Sequence, residues 1–281
     1  MIDLHTHSTA SDGTFFPEEL VYLAKKEKLQ ALALTDHDTI DGLKSAYQTA
    51  KEVNLPFLCG VEISVKFEGP GHFHLLGYFL KPEIPEINET LQRLKIAREE
   101  RNKKMIEKLN VLGIKITLDE LKEIAQGEIG RPHMAILLVK KGVVNSFEEA
   151  FEKYLKKGAL AYVPKALLSP EEAIKLILQA KGAPVLAHPI TLKLDYLKLK
   201  NYLKSLKDAG LIGIEAFYPE HSPELTKFLI DCAKELNFLI TGGSDFHGKN
   251  KPDIKLGKGL NNLNVPFKCY ENLKNYLEKV N

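Results

Sequence analysis

Ile2-Asp3-Leu4-His5-Thr6-His7 is a short apolar run that ends in two histidines one residue apart, with Asp12 following in a loop of small residues. Side chains at i and i+2 of a strand point to the same face, so His5 and His7 can aim both imidazoles at one point. That is the geometry needed to grip a divalent cation. A single His-X-His is more often a pair of core or surface histidines. Here the rest of the chain repeats the pattern. The apolar run 31–35 leads into Asp36-His37-Asp38, 57–61 into Glu62, and 184–187 into His188-Pro189. The run 238–241 leads into Gly242-Gly243-Ser244-Asp245-Phe246-His247, and 73–80 carries His72 and His74 at its start. Of the nine histidines, only His72, His133 and His221 are not read as sitting at a strand end.

Between these runs lie helices with legible starts. Pro17-Glu18-Glu19 places proline in a first turn and acids at the positive end of the helix dipole. Ser169-Pro170-Glu171-Glu172 adds a serine N-cap and predicts a helix to about 181. Amphipathic spacing predicts further helices over 42–53, 196–209, 223–237 and 270–280. The alternation points to an α/β fold, barrel or doubly wound sheet, with its site at the carboxyl ends of the strands. Residues 85–157 break the rhythm with helical spacing alone. The expected organisation is therefore a discontinuous α/β catalytic body over 1–84 and 158–281, carrying a helical insertion over 85–157.

Composition narrows the class further. The 281 residues are long enough for one large domain or two ordinary ones, and 44% hydrophobic with 27% charged is ordinary for a globular protein. A formal charge of +2 is too small for a nucleic-acid coat, and duplex DNA is not an expected partner. Cys59, Cys232 and Cys269 are few, odd in number and far apart, which argues for a reducing compartment and against a disulfide framework. No basic-then-apolar leader precedes the first strand and no run approaches the roughly 20 apolar residues of a membrane span, so a cytoplasmic location is expected.

The collected ligand-type residues are His5, His7, Asp12, His37, Glu62, His74, His188, Asp245 and His247. Imidazole and carboxylate without thiolate suit manganese, iron or zinc at a reactive site rather than a structural zinc. Nine such residues exceed what one ion needs and suit two or three, with manganese the first choice and a carboxylate such as Glu62 bridging. Ions held that close together can activate a water and clamp a phosphoryl group in flight. Asp36, next to His37, is expected to hold that histidine's other ring nitrogen, and Asp38 to cap the following turn. Other chemistries fail: no Gly-rich loop with Lys-Ser/Thr, no Gly-X-Ser-X-Gly and no catalytic thiol context are present.

His5-Thr6-His7, Thr35-Asp36-His37-Asp38, Ala187-His188-Pro189 and Gly243-Ser244-Asp245-Phe246-His247 resemble the four ordered motifs of the polymerase and histidinol phosphatase (PHP) family. The resemblance implies a metal-dependent phosphoesterase on a distorted seven-stranded (β/α) barrel. It implies three ion positions: His5, His7, Glu62 and Asp245; Glu62, His74 and His188; and Asp12, His37 and His247, where Asp12 stands in place of a histidine common in the family. Ala97-Arg98-Glu99-Glu100-Arg101-Asn102, Ile129-Gly130-Arg131-Pro132-His133 and Ala161-Tyr162-Val163-Pro164-Lys165 resemble the branch acting on 3′,5′-bisphosphonucleotides, some of whose members trim short RNA.

Arg131 is the leading phosphate ligand, because its planar fork suits an anion and a Gly-Arg-Pro-His turn is a poor place for a merely solvated side chain. Arg101, His133, Lys165 and His221 join it as candidate substrate contacts. Asp245 is counted with the catalytic residues, and His188 and His221 are candidates for protonating the leaving alkoxide. The expected reaction releases the 3′-phosphate of a 3′,5′-bisphosphonucleotide, through metal-activated hydroxide, to give the 5′-monophosphate. A 5′-to-3′ exonuclease on short 5′-phosphorylated RNA, a histidinol-phosphate phosphatase and a non-catalytic metal-binding module are the alternatives.

Overall fold

The computed structural model describes residues 1–124 and 129–281; residues 125–128, inside the expected insertion, lie outside the described set. In chain order the elements begin α1 (Pro17–Lys26), β1 (Leu32–Leu34), α2 (Leu43–Glu52), β2 (Phe57–Val65) and β3 (Phe73–Phe79). Then come α3 (Pro85–Val111), α4 (Leu118–Ile124), α5 (Arg131–Lys140) and α6 (Phe147–Ala150), which runs into a π-helical turn at Phe151–Leu155. The alternation returns with α7 (Pro170–Gln179), β4 (Ala183–Leu186), α8 (Tyr196–Asp208), β5 (Gly213–Phe217), α9 (Pro223–Leu236), β6 (Leu239–Gly242) and α10 (Phe267–Val280). The chain divides into two compact units, Met1–Glu89 with Leu167–Asn281, and Thr90–Ala166.

The first unit is built on a curled sheet of six strands in sequence order, forming a partial (β/α) barrel. β1 pairs parallel with β2, and β4, β5 and β6 pair parallel in turn. β3 runs antiparallel to both β2 and β4. That reversal explains where the histidines fall. The carboxyl ends of the parallel strands and the amino end of β3 meet at one end of the sheet, so His74 at a strand start joins ligands at strand ends.

Six strands stand where the sequence resemblance implies seven. The Asp3–Thr6 stretch is too evenly shared between two neighbours to build a ladder of its own: it makes isolated parallel bridges at Asp3 to Leu32 and at Thr6 to Phe246. Its amides and carbonyls alternate between them. Asp3 N donates to Ala31 O (3.1 Å) and Ala33 N to Asp3 O (2.9 Å) on one side; Leu4 N donates to Gly242 O (3.2 Å) and Asp245 N to His5 O (2.9 Å) on the other. The two outer strands of the sheet are thus linked through the His-X-His segment.

Beneath this end of the sheet, Ile2, Leu4, Leu58, Leu76, Tyr78 and Val185 pack with Leu273 and Leu277, which α10 presents one turn apart. The buried Tyr78 hydroxyl donates to Leu4 O at 2.8 Å, so the phenol is not left unsatisfied. Asp3 fastens the same segment from the side: Ser244 N (2.8 Å), Ser244 Oγ (2.5 Å) and Gly257 N (2.7 Å) all donate to its carboxylate. Burial lifts that carboxyl to about 6 in spite of these bonds. The second unit has a core of its own, in which Met105, Leu109, Ile116, Leu121, Met134, Leu138 and Leu155 are buried.

Gly243 is required by close approach. A Cβ there would lie 2.4 Å from both the amide nitrogen and the Cβ of His5. The expected result for Gly243→Ala is a loss of ~1–3 kcal/mol in stability, read by thermal unfolding, together with reduced uptake of Mn²⁺.

Candidate metal centre

Glu62 occupies the middle of β2 with none of its surface exposed. Its Oε2 lies 3.1 Å from His5 Nε2, from His7 Nε2 and from His37 Nδ1. Its Oε1 lies 2.8 Å from His74 Nδ1 and from His188 Nε2. The sheet register accounts for part of this. Ser64 pairs with His74, so Glu62 is the diagonal same-face neighbour of His74 across β2 and β3. His37, beyond β1, is bridged to Glu62 by backbone, and His188 lies two residues beyond the end of β4.

Asp245 arrives from the loop after β6. Its Oδ1 is 3.2 Å from His7 Nε2 and 3.6 Å from His5 Nε2, while its Oδ2 accepts from Tyr218 Oη (3.0 Å) and Lys251 Nζ (2.6 Å). His247 reaches Asp12 Oδ1 at 3.2 Å, with His37 Nε2 4.0 Å from the other oxygen. The donor atoms gather into clusters whose members lie within 4.8 Å of one another: His5, His7, Glu62, Asp245; His37, Glu62, His74; and His7, Asp12, His37, His247. All nine residues singled out from the sequence are therefore brought together, six of them buried, His37 and His74 partly exposed, and Asp12 with a 57% exposed side chain.

The pocket fits cations by two physical signs. It is lined with nitrogen and oxygen donors and no sulfur, the set preferred by borderline and hard divalent ions. Neither ring nitrogen of the fully buried His7 has an aligned hydrogen bond, although Glu62 and Asp245 stand within ion-pair distance. Buried polar atoms are rarely left in that state unless a ligand takes the lone pair. The electrostatics agree. Burial opposes ionisation of Glu62 and Asp245, yet the surrounding His37, His5 and His74, and His5 and His7, hold the two carboxyls well below their usual range. Burial, with His7 and His74 alongside, pushes His37 down to about 3 against the pull of Glu62.

Two acids do other work than the sequence suggests. Asp36 turns away from the His37 ring and accepts from Ser8 N (2.7 Å), Ser8 Oγ (2.7 Å) and Ser11 Oγ (2.6 Å), fixing the loop that carries Asp12. Asp38 accepts from Ser64 N (2.8 Å) and Ser64 Oγ (3.0 Å), which ties it to β2.

The remaining candidates have separate settings. His221 is buried beside Tyr218, at 5.2 Å between ring centroids, and its Nδ1–H donates to Ala216 O at 3.0 Å. That bond fixes the tautomer and leaves Nε2 as a lone pair without a partner. In the second unit Arg101 is 7% exposed and donates through Nε to Val163 O at 2.8 Å. Burial lowers its pKa, and the guanidinium groups of Arg131 and Arg98 add to the effect. Arg131 donates to Leu155 O at 3.3 Å and lies over the Phe151 and Tyr162 rings. His133 accepts from Gly130 N at 3.1 Å, a capping role at the start of α5 that accounts for its place in the sequence. Lys165 is half-buried.

Sequence reasoning passed over Glu215, Tyr218 and Lys251. Glu215 carried a signal, a carboxylate in the middle of the buried-type run Ile-Gly-Ile-Glu-Ala-Phe; it is fully buried and lies 3.0 Å from His5 Nδ1. Lys251, in a loop beyond the motif, carried none.

Residues 3–177 match the PHP domain. The chain belongs to the PHP family. A 5′-3′ exoribonuclease of Haemophilus influenzae is 37% identical over 96% of this chain and 97% of its own length. A 3′,5′-nucleoside bisphosphate phosphatase of Chromobacterium violaceum is 34% identical over 91% and 90%. A solved structure from Bifidobacterium adolescentis, described as a metal-dependent phosphoesterase, superposes with a TM-score of 0.75 at 32% identity, covering 98% of this chain and 96% of the other. This PHP protein is a metal-dependent phosphoesterase, a hydrolase of phosphoric esters. Among the described residues no helix is long and apolar enough to cross a membrane.

Ion uptake by this PHP pocket is expected to be proton-linked. Burial lowers the pKa of His7, but Asp245 and Glu62 outweigh it and raise the imidazole to about 9; Glu215, Glu62 and Asp245 likewise raise His5 against its burial. Both rings therefore carry protons near neutral pH when no ion is bound, and a cation must displace them. Calorimetry of Mn²⁺ binding in buffers of different ionisation enthalpy is expected to show proton release at pH 7, with affinity rising toward pH 9. The ion-free protein moves the other way. Its stabilisation from charged His7 is full below pH 6.5 and lost as the pH rises through about 9, so its melting temperature is expected to fall over that interval.

Proposed function

We propose that this protein hydrolyses the ester between a nucleotide's 3′ oxygen and phosphorus, with the 3′-phosphate of a 3′,5′-bisphosphonucleotide as its preferred target and the 5′-monophosphate as product. The observation that carries the reading is the buried Glu62 carboxylate met by five imidazoles, beside Asp245 and the Asp12–His37–His247 group. His5, His7, Glu62 and Asp245 would hold one ion, Glu62, His74 and His188 a second, and Asp12, His37 and His247 a third, with manganese the expected metal. Divalent ions so placed supply an activated water and neutralise charge on the phosphoryl oxygens.

The chain's own residues supply the rest. Glu62 faces both the first and second positions and is suited to bridge them. The His221 tautomer leaves Nε2 able to accept a hydrogen bond from a substrate hydroxyl; to protonate the leaving 3′ alkoxide it would first have to take a proton on Nε2, which its burial opposes. Arg131, with the buried Arg101 near it, is the residue that would hold the 5′-phosphate, its planar fork being suited to an anion. His133 and Lys165 remain lesser candidates for that contact.

A second reading has its own support in the 37% identity to a 5′-3′ exoribonuclease. Removal of a nucleoside 5′-phosphate from a 5′-phosphorylated strand breaks the same bond, from 3′ oxygen to phosphorus. The two readings differ only in whether the scissile phosphate is terminal or carries another nucleotide.

Product release from 3′,5′-bisphosphates, short 5′-phosphorylated RNA and histidinol phosphate, compared in Mn²⁺, decides between them. The expected order places bisphosphates first and histidinol phosphate last; preference for the oligomer transfers the assignment to the nuclease, and preference for histidinol phosphate removes it. Arg131→Ala is expected to raise KM by about 10- to 100-fold with metal content unchanged, the loss of a charged hydrogen bond to phosphate. Glu62→Gln is expected to abolish turnover and lower metal content, read by elemental analysis.

A further inference from the structure

Glu215 belongs to none of the three donor clusters, yet it touches a histidine of one of them and a further histidine that meets Glu62. It is the third residue of β5 and has no exposed surface. Its Oε1 and Oε2 lie 3.0 and 3.3 Å from His5 Nδ1, on the side of the ring away from Glu62. Its Oε2 also accepts from the backbone N–H of His188 at 2.7 Å. His188 has φ +22° and ψ 70°, a conformation that a residue with a Cβ rarely adopts and that the surrounding structure must hold. One buried carboxylate thus governs the ring of a histidine in the first cluster and the backbone of a histidine that meets Glu62 from β4.

We propose that Glu215 is a positioning residue for two ion positions at once. By accepting the Nδ1 proton of His5 it selects the tautomer whose Nε2 lone pair faces Glu62 and Asp245. By accepting the His188 amide it fixes the turn that aims His188 Nε2 at the other Glu62 oxygen. The inference rests on the reading of the pocket as a metal centre. It gives the carboxylate a role that neither a neutral isostere nor an apolar residue can fill, because both hydrogen bonds need an acceptor. A glutamine at 215 has one acceptor oxygen and one amide donor. If the oxygen takes the His188 amide, the NH₂ faces His5 Nδ1 and forces the proton onto Nε2, the nitrogen an ion needs. If the oxygen takes His5, the NH₂ meets the His188 N–H donor to donor.

The test is Mn²⁺ binding by calorimetry and chelator competition for the full-length wild type, Glu215→Gln and Glu215→Asp, with circular dichroism and melting of each ion-free protein as the control for folding. Glu215→Gln is expected to bind about 10- to 100-fold more weakly, the range for losing a partner that orients a ligating histidine, in more than one binding step. Glu215→Asp, which keeps two acceptor oxygens, is expected to recover part of that loss. The Zn²⁺-loaded wild type, labelled with ¹⁵N at histidine, is expected to show His5 protonated at Nδ1, with that signature lost in Glu215→Gln. A Glu215→Gln protein that folds and binds Mn²⁺ as tightly as wild type overturns the inference. So does one that is less stable without ions but takes them up with wild-type affinity, since that marks a purely structural role. Failure of the wild type itself to bind ions removes the metal reading and this inference with it, a result distinct from an unaffected variant.

Discussion

The first unit is arranged around one buried anion that would be ruinous without its neighbours. A carboxylate stripped of water costs several kcal/mol unless charge and hydrogen bonds compensate. Glu62 is compensated by five imidazoles drawn from four places in the chain: His5 and His7, His37, His74 and His188. The geometry of the sheet follows from that need. Parallel strands deliver ligands at their carboxyl ends, and the antiparallel β3 presents His74 from its amino end to the same place. The surrounding network keeps the ligands in place by spending other acids on backbone. Asp3, Asp36 and Asp38 each accept from an amide and a hydroxyl nearby, so that loops bearing ligands do not drift.

The nine ligand-type residues were legible because chemistry marks them twice. Histidine and acid at the ends of apolar runs are unusual in composition and regular in position, and an α/β alternation gathers such ends at one edge. The helix starts at Pro17 and Pro170 were legible because capping is a local matter: Ser169 and Glu172 bond reciprocally within one turn. What the sequence concealed depends on partners far away. Whether 2–6 makes a ladder strand depends on two neighbours that share its hydrogen bonds, and no period in the run itself tells of that. Asp36 beside His37 is read naturally as its partner, but Ser8 and Ser11, more than twenty residues earlier, take it instead.

Glu215 shows the limit most clearly. Its run reads as a core strand, and in core strands a lone acid is an anomaly rather than a motif. Only in the folded chain do its acceptors turn to His5 and to the His188 amide. The arginines illustrate the opposite case. Arg98 and Arg101 lie on a long helix of charged residues, where solvation is the ordinary fate. The structure instead buries Arg101 and brings it near Arg131 from α5, so that the like charges feel one another.

The bonds from Asp3 to Ser244 join residues 241 positions apart. A chain emerging from the ribosome therefore carries His5 and His7 long before Asp245 and His247 exist to complete the pocket. Closing so long a loop is slow compared with forming local helices. During that interval the nascent protein carries His5, His7 and Glu62 without the Asp245 carboxylate that completes their cluster. Cation loading is in this way deferred until the stretch around Ser244 and Asp245 has been made, and a polypeptide cut short before Ser244 lacks the tether as well as the final ligands.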